Sequence, residues 1–202
     1  MNRHLPRRLA VAGATLLAAV LLAGCGGSDD GTGNDSGATH TAATPTKAAF
    51  NPADVAFVAG MVPHHQQALE MARIAATRAA NPQVKELAAR ISKAQDPEIT
   101  AMSDWLRQWG QPVPAPGMGH GQHASVPGMM TDQEMKDLMA SSGTQFDRMF
   151  LQMMIRHHQG AIDMARTHQQ QGHHAQARQL AERIAAGQAA EVSQMQALLA
   201  KL

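Results

Sequence analysis

An internal duplication constrains the fold of this chain more than any other feature of its sequence. The segment Asp54–Leu106 recurs without a gap as Asp147–Leu199, 93 residues later, and 19 of the 53 aligned positions are identical. Each copy contains a His-His-Gln run, at His64–Gln66 and at His157–Gln159. Because a repeated unit buries the same face twice, we expect the two His-His pairs to form two halves of one site.

Each copy reads as a pair of helices. Apolar residues recur at the i, i+3, i+4, i+7 spacing of an amphipathic helix. The pairs Asn51-Pro52 and Asn81-Pro82 predict helix starts, since asparagine caps a helix and proline suits its first position. The second copy predicts helices over roughly 144–171 and 174–201, and Thr131 with Glu134 predicts the start of a short extra helix. Two such hairpins bury their apolar stripes against each other, which predicts an all-α four-helix bundle with one long connection.

The chain divides into three parts. Arginines precede a short apolar run, Leu9–Leu22, which is typical of a secretory signal and too short for an ordinary membrane span. The run ends in Leu22–Cys25, which resembles the lipobox of bacterial lipoproteins. We therefore expect residues 1–25 to be the signal and Cys25 to become the lipid-modified first mature residue. A plain signal peptide that ends near a cysteine is the alternative.

Residues 26–50 are rich in Gly, Ser and Thr and predict a flexible tether. The bundle then occupies 51–202, with repeat one at 51–109, a linker at 110–143 and repeat two at 144–202. This order predicts an extracytoplasmic protein, anchored to the bacterial cell membrane by lipid on the periplasmic or cell-surface side.

Composition excludes some functions. Three of the 17 basic residues lie in the signal, so the remaining 14 face 16 acidic residues and the mature net charge is −2. There is no basic stripe, which argues against a nucleic-acid partner. A single cysteine rules out an intramolecular disulfide framework.

The register of an antiparallel hairpin places polar residues at one level. If the first turn lies near residue 81, Glu98 is level with the first His-His pair, and Glu191 is level with the second pair by the same reasoning. Neighbouring residues on a helix point about 100° apart, so each histidine of a pair is expected to face a different helix. The predicted layer and its flanks consist of His64, His65, His157, His158, Glu98, Glu191, Met61, Met154, Met102 and Met195. Four glutamines are expected to lie behind these side chains: Gln66, Gln159, Gln95 and Gln188.

This residue set predicts a metal site. Neutral imidazole suits copper, zinc and iron, and thioether ligands favour copper. We therefore expect copper, with zinc or iron as alternatives. The linker offers accessory soft ligands: Met118, His120, His123, Met129 and Met130. The competing interpretation is a buried His-Gln-Glu network that only satisfies its own hydrogen bonds, with methionine as core filler.

Other polar residues are expected to have structural roles. Asp54 and Asp147 are expected to cap, whereas His168, His173 and His174 lie near a turn and are expected to be solvated. Neither Glu98 nor Glu191 has a histidine three residues later, so the four-carboxylate pattern of ferritin-like metal oxidases is missing and enzyme activity is less favoured. The sequence leaves open whether the first helices of the two hairpins run parallel or opposed.

The second copy resembles a known family. The segments Phe146–Leu151 and Met154–Ala165, with Pro127–Thr131 before them and Gln188–Met195 after them, resemble the signature of domain-of-unknown-function family 305. The resemblance covers about residues 51–202. It implies a ferritin-like bundle, often exported, in a family that includes a cyanobacterial periplasmic copper-binding member. The predicted function is a lipid-anchored protein that sequesters copper or delivers it to a metal-transfer partner. A structural or partner-binding bundle is the alternative.

Overall fold

The structure is a computed structural model that describes residues 49–115 and 126–202. Within these residues it has five helices and no strand: α1 (Pro52–Arg78), α2 (Pro82–Gln108), α3 (Asp132–Ala140), α4 (Gly143–Gln171) and α5 (Ala175–Leu199). The predicted lipidation site Cys25 and the linker residues Met118, His120 and His123 lie outside the described part. None of the described helices is both long and apolar enough to cross a membrane.

Local capping sets where the helices begin. The Asn51 side chain accepts a hydrogen bond from the Asp54 backbone N–H at 3.0 Å, and the Asp54 carboxylate accepts from the Asn51 N–H at 2.7 Å. Pro52 then occupies the first helical position, where no N–H partner is needed. Thr131 and Glu134 form the same reciprocal box at the start of α3. The predicted starts of α1, α2 and α3 are confirmed.

The helices form two hairpins, α1 with α2 and α4 with α5, which meet mainly through α1 and α4. The apolar core forms two clusters, one toward each end of the bundle. Large members of one cluster are Met71, Leu87, Ile91, Phe146 and Phe150. Large members of the other are Phe57, Met61, Met102, Leu106 and Ile184. The fold is the predicted all-α, ferritin-like bundle of two duplicated hairpins with a short extra helix.

Two buried aspartates fix the orientation of the hairpins. Asp54, near the start of α1, accepts hydrogen bonds from the backbone N–H groups of the His173–His174 turn at 3.0 and 3.1 Å. Asp147, near the start of α4, accepts from the backbone N–H groups of Ala80–Asn81 at 3.1 and 2.9 Å. Each hairpin thus holds the turn of the other, so α1 and α4 run in opposite directions. The capping role predicted for both aspartates is confirmed.

This opposed orientation determines the path of the connection between the hairpins. α2 ends beside the start of α1, where Trp109 stacks on Phe50 with ring centroids 4.8 Å apart. α4 begins at the other end of the bundle, where Gly143 forms an isolated parallel bridge with Ala79. The two ends of the connection from α2 to α4 therefore lie at opposite ends of the bundle, as in ferritin-like folds.

The last part of the connection before α3, residues 126–130, lies across α1 and α4, and we name it the strap. The Gln67 side chain donates to the Met130 carbonyl at 2.9 Å and accepts from the Met130 N–H at 2.7 Å. Gly160 leaves the strap room, since a Cβ there would lie 2.1 Å from the Pro127 carbonyl oxygen. His64 Nε2 lies 3.1 Å from that same oxygen. The strap therefore covers the middle of the α1–α4 interface.

Candidate metal centre

The four histidines predicted as ligands lie together in the middle of the bundle. His64 and His65 project from α1, His157 and His158 project from α4, and each has 0% of its surface exposed. Burial of a polar ring is unfavourable unless its nitrogens find partners. The partners of these nitrogens therefore decide what the layer can do.

One histidine of each pair contacts a glutamate on the neighbouring helix of its own hairpin. His65 Nε2 lies 2.8 Å from Glu98 Oε2, and His158 Nε2 lies 2.7 Å from Glu191 Oε2. The predicted level of the two glutamates is confirmed. Their side chains are 22% and 23% exposed, so each His–Glu pair extends from the buried layer to the edge of the solvent. A carboxylate oxygen accepts hydrogen bonds, so Nε2 of both histidines is the donor in these contacts.

The other histidine of each pair lies at the α1–α4 interface. The rings of His64 and His157 pack against each other with centroids 3.7 Å apart and an interplanar angle of 34°. His64 Nε2 donates to the Pro127 carbonyl oxygen of the strap, since a carbonyl has no proton to give. The histidines of a pair therefore face different neighbours, as the helical angle predicts.

Most of the second ring nitrogens have no partner. Nδ1 of His64, His65 and His158, and both nitrogens of His157, are buried without a hydrogen-bond partner among the described residues. Where Nε2 carries the only ring proton, Nδ1 has a free lone pair. Each unmet buried polar group costs about 1–3 kcal/mol. A cation that accepted these lone pairs would remove that cost, and imidazole nitrogen is a donor that copper accepts.

The electrostatics of the interface keep its imidazoles neutral. Burial, together with the neighbouring His65, lowers the pKa of His64 to about 3. Burial and the surrounding histidines also lower the pKa of His157 well below its usual value. Both rings are therefore uncharged at neutral pH, which is the form that binds metals.

The four predicted methionines flank the layer on both sides. Met61 and Met102 belong to the core cluster toward one end, and Met154 and Met195 to the cluster toward the other. All four are fully buried. Thioether sulfur is thus present on each side of the layer.

The predicted glutamines are only partly brought into the centre. Gln95 and Gln188 are buried, but both amide atoms of Gln95 and the Oε1 of Gln188 have no partner among the described residues. Gln66 is half-buried and Gln159 is exposed, so the structure does not place these two behind the histidines. The buried glutamine of α1 is Gln67, which binds the strap. Comparison of the two copies could not reveal the role of Gln67, because the second copy has Gly160 at that position.

The described residues contain no group of three or more His, Cys, Asp or Glu side chains arranged around one point as metal ligands. An ion in the layer would therefore need methionine sulfur or a rotation of the imidazoles. Of the linker residues, Met129 is half-buried and Met130 is buried in the strap. The Met130 sulfur accepts a hydrogen bond from Arg156 at 2.9 Å.

The expectation that His168 is solvated is wrong. Its side chain is buried, and Nε2 lies 2.8 Å from Asp54 Oδ1. Burial alone would raise the pKa of Asp54, but hydrogen bonds from Asn51, His168 and the 173–174 turn hold that pKa below its usual value. One signal of this role is visible in the sequence, since His168 replaces Ala75 of the first copy one turn after a repeated methionine.

Solved structures of similar proteins share this fold. A protein from Streptomyces coelicolor, assigned as secreted, is 34% identical with a TM-score of 0.67, over 74% of this chain and 93% of that chain. A fragment from Deinococcus radiodurans is 34% identical with a TM-score of 0.68, over 75% of this chain and 98% of that chain.

A third similar structure contains a metal. CopM in its Cu(II)-bound form is 34% identical with a TM-score of 0.64, over 73% of this chain and 96% of that chain. CopM has also been solved in Cu(I)-bound and Ag-bound forms. No curated protein sequence matches the chain. The family model described as domain of unknown function DUF305 matches residues 54–199. The family model and the solved relatives together show that this chain belongs to the DUF305 family.

Proposed function

We propose that this chain is an extracytoplasmic copper-binding protein whose central layer holds Cu(I). The observation that carries the proposal is the set of buried imidazoles with unpaired Nδ1 atoms, flanked by methionine sulfur. The copper-bound and silver-bound structures of CopM support it, because that protein has the same fold.

The residues of the layer have separate roles in this proposal. Nδ1 of His65 and His158 supplies lone pairs, while Nε2 of each ring donates to Glu98 or Glu191. A carboxylate behind a ligating histidine fixes its tautomer and strengthens it as a ligand. Met61, Met154, Met102 and Met195 are the source of sulfur ligands, and His64 and His157 supply further imidazole at the interface.

The chemistry of the layer favours a soft monovalent ion over zinc or iron. Moving charge out of water is unfavourable, and a +1 ion loses less hydration free energy than a +2 ion. Structural zinc takes four tightly arranged ligands, and ferritin-like iron sites use four carboxylates. The layer has two glutamates, both at the solvent edge, so imidazole and thioether donors dominate it.

A titration with Cu(I) against a competing chelator, without oxygen, tests this proposal. We expect binding far tighter than micromolar, and a loss of at least about 100-fold when His64, His65, His157 and His158 are all replaced by alanine. His173→Ala, an exposed histidine outside the layer, is the matched control and should leave the affinity unchanged. No binding tighter than about micromolar would contradict the proposal.

A second candidate is a structural or partner-binding bundle, favoured by the closed His65–Glu98 and His158–Glu191 hydrogen bonds. In that case these pairs only satisfy each other and fix the alignment of the hairpins. The same titration separates the two, because a structural layer would leave copper affinity unchanged in the four-histidine variant.

We further propose that Cys25 carries the lipid that anchors the protein outside the cytoplasm, so that copper is sequestered or handed to a transfer partner at the membrane. The name of the Streptomyces coelicolor relative supports export. Fractionation of cells that produce wild type and Cys25→Ser tests the anchor. Wild type should follow the membranes and the variant should not, whereas equal distribution would contradict anchoring.

A further inference from the structure

A cleft of about 310 Å³ opens beside the α1–α4 interface. Its walls are mainly apolar and include Phe57 of α1, Met164 and His168 of α4, and Pro127 of the strap. Because His168 lines the cleft but belongs neither to the core nor to the central layer, its contacts need a separate explanation.

His168 is held rigidly. Its Nε2 lies 2.8 Å from Asp54 Oδ1, and its ring stacks on Phe57 with centroids 4.3 Å apart at 17°. Hydrogen bonds hold the pKa of Asp54 below its usual value, so the carboxylate is ionised and Nε2 of His168 donates to it. Nδ1 is then the lone-pair nitrogen, and it is buried without a partner among the described residues.

The other copy of the repeat shows that the aspartate clamp needs no histidine. Asp147 holds the Ala80–Asn81 turn in the same way, although Ala75 stands where the second copy has His168. The second copy also has a glycine, Gly172, that leaves room for the His168 ring. A Cβ on Gly172 would lie 2.3 Å from its Nε2, and the first copy has Ala79 at that position.

The methionine one turn before His168 is present in both copies, but its surroundings differ between them. Met164 is partly exposed and lines the cleft, whereas its counterpart Met71 is fully buried in the core cluster that includes Met135 and Leu138 of α3. The described residues contain only one such short helix, so α3 covers one side of the pseudo-symmetric bundle and leaves the Met164 side open.

We propose that His168 Nδ1 and Met164 sulfur form a second binding site, for a soft monovalent cation such as Cu(I) or Ag(I), at the wall of this cleft. Residues four apart on a helix lie on the same face, so the two donors are neighbours. Imidazole with thioether is a donor set that selects Cu(I). The Asp54 carboxylate behind His168 is the outer partner that metal-binding histidines commonly have.

The protonation state of His168 agrees with this role. Burial lowers its pKa, although the hydrogen bond from Nε2 to Asp54 opposes that shift, so the ring is neutral at neutral pH. Two protein ligands are too few for structural zinc, which takes four. The site therefore favours a soft monovalent ion over zinc. It does not require the central layer to bind a metal.

Native mass spectrometry of the full chain with added Ag(I), which needs no reductant, tests the site. We expect Met164→Leu, which preserves apolar volume, to bind about one Ag(I) fewer per chain than wild type. Met71→Leu is the matched control and should bind as many ions as wild type. If Met164→Leu and Met71→Leu bind equal numbers of ions, the site does not exist.

A second variant separates this site from the central layer. In the chain with His64, His65, His157 and His158 replaced by alanine, the second site should still bind Ag(I), and further replacement of His168 by alanine should abolish that binding. Circular dichroism checks that each variant is helical, and Met164→Leu in the wild-type background supplies the result if the multiple variant unfolds. If adding His168→Ala to the four-histidine variant leaves its silver binding unchanged, the assignment is overturned.

Discussion

At the scale of single residues, the central layer contains buried nitrogens without hydrogen-bond partners, which lower the stability of the fold. Both nitrogens of His157 lack a partner among the described residues, and Nδ1 of three neighbouring histidines is in the same state. Unmet polar groups of this kind lower the stability of a fold by about 1–3 kcal/mol each. Strained or unsatisfied residues of this kind are commonly kept for function. The metal-free protein is therefore expected to be less stable than an apolar layer would make it.

Replacing His157 by leucine tests this cost. The variant removes two unmet nitrogens from the core, so the free energy of unfolding of the metal-free protein should rise by about 1–3 kcal/mol in urea denaturation. His168→Leu is the control with the opposite sign, since it removes a hydrogen bond from the buried Asp54 carboxylate. If His157→Leu is destabilising to the same extent as His168→Leu, the unpaired nitrogens are not a cost.

Acid should destabilise the metal-free protein at a predictable pH. The pKa of His64 is about 3 in the folded state and 6.5 in the unfolded chain, so the unfolded chain takes up the proton first as pH falls. The stability that this histidine contributes is complete above pH 6.5 and is lost as pH falls from 6.5 toward 3. Between pH 7 and 5 the free energy of unfolding should drop by about 2 kcal/mol for His64 alone.

Urea titrations at both pH values measure this drop, and His157 adds to it in the same direction because its pKa is also lowered. The variant with His64 and His157 both replaced by leucine is the control, and its stability should depend less on pH in this range. An equal pH dependence in both proteins would contradict the low pKa values.

Residue-scale predictions from the sequence were right where the repeat supplied the signal. The level of Glu98 and Glu191 followed from hairpin register, because Asn81-Pro82 marked the first turn and the ungapped repeat carried the same register into the second hairpin. His168 and Gln67 were missed for the opposite reason. Each occupies a position where the copies differ, and each contacts a segment distant in sequence, which spacing along one helix does not reveal.

At the scale of elements, the strap is the part of the linker that contacts the central layer. Its Pro127 carbonyl accepts from His64, and its Met130 backbone pairs with the Gln67 amide. Arg156 of α4 donates to Glu134 of α3 and so holds the next element as well. The sequence predicted α3 from its capping box but not the strap, because a segment held by side chains from other helices has no periodic pattern of its own.

Two glycines in helices test the strap. Gly160→Ala would place a Cβ 2.1 Å from the Pro127 carbonyl oxygen, so it should displace the strap and lower the free energy of unfolding. Gly187→Ala is the matched control in α5, where nothing lies within 4 Å of the added Cβ. That change should stabilise the protein by about 0.5–1 kcal/mol, since alanine favours a helix over glycine. Equal stabilisation by both changes would show that the strap does not contact Gly160.

At the scale of the whole molecule, the two copies form one pseudo-symmetric bundle with asymmetric additions. The reciprocal clamps of Asp54 and Asp147 set the hairpins in opposite directions, which the sequence left open because both copies have the same aspartate at the same place. Long-range hydrogen bonds decide between the two orientations, and a sequence repeat does not. The strap, α3 and the His168 cleft then make one side of the bundle unlike the other.

In the proposed site, copper binds the unpaired Nδ1 atoms of the layer while Nε2 of His65 and His158 stays hydrogen-bonded to the glutamates. Nitrogen NMR of the protein with ¹⁵N-labelled histidine, before and after one equivalent of Cu(I), tests it most directly. The Nδ1 resonances of His65 and His158 should shift, and their Nε2–H groups should remain protonated and bonded to Glu98 and Glu191. Copper binding that leaves all four layer histidines with unchanged nitrogen resonances would contradict the account.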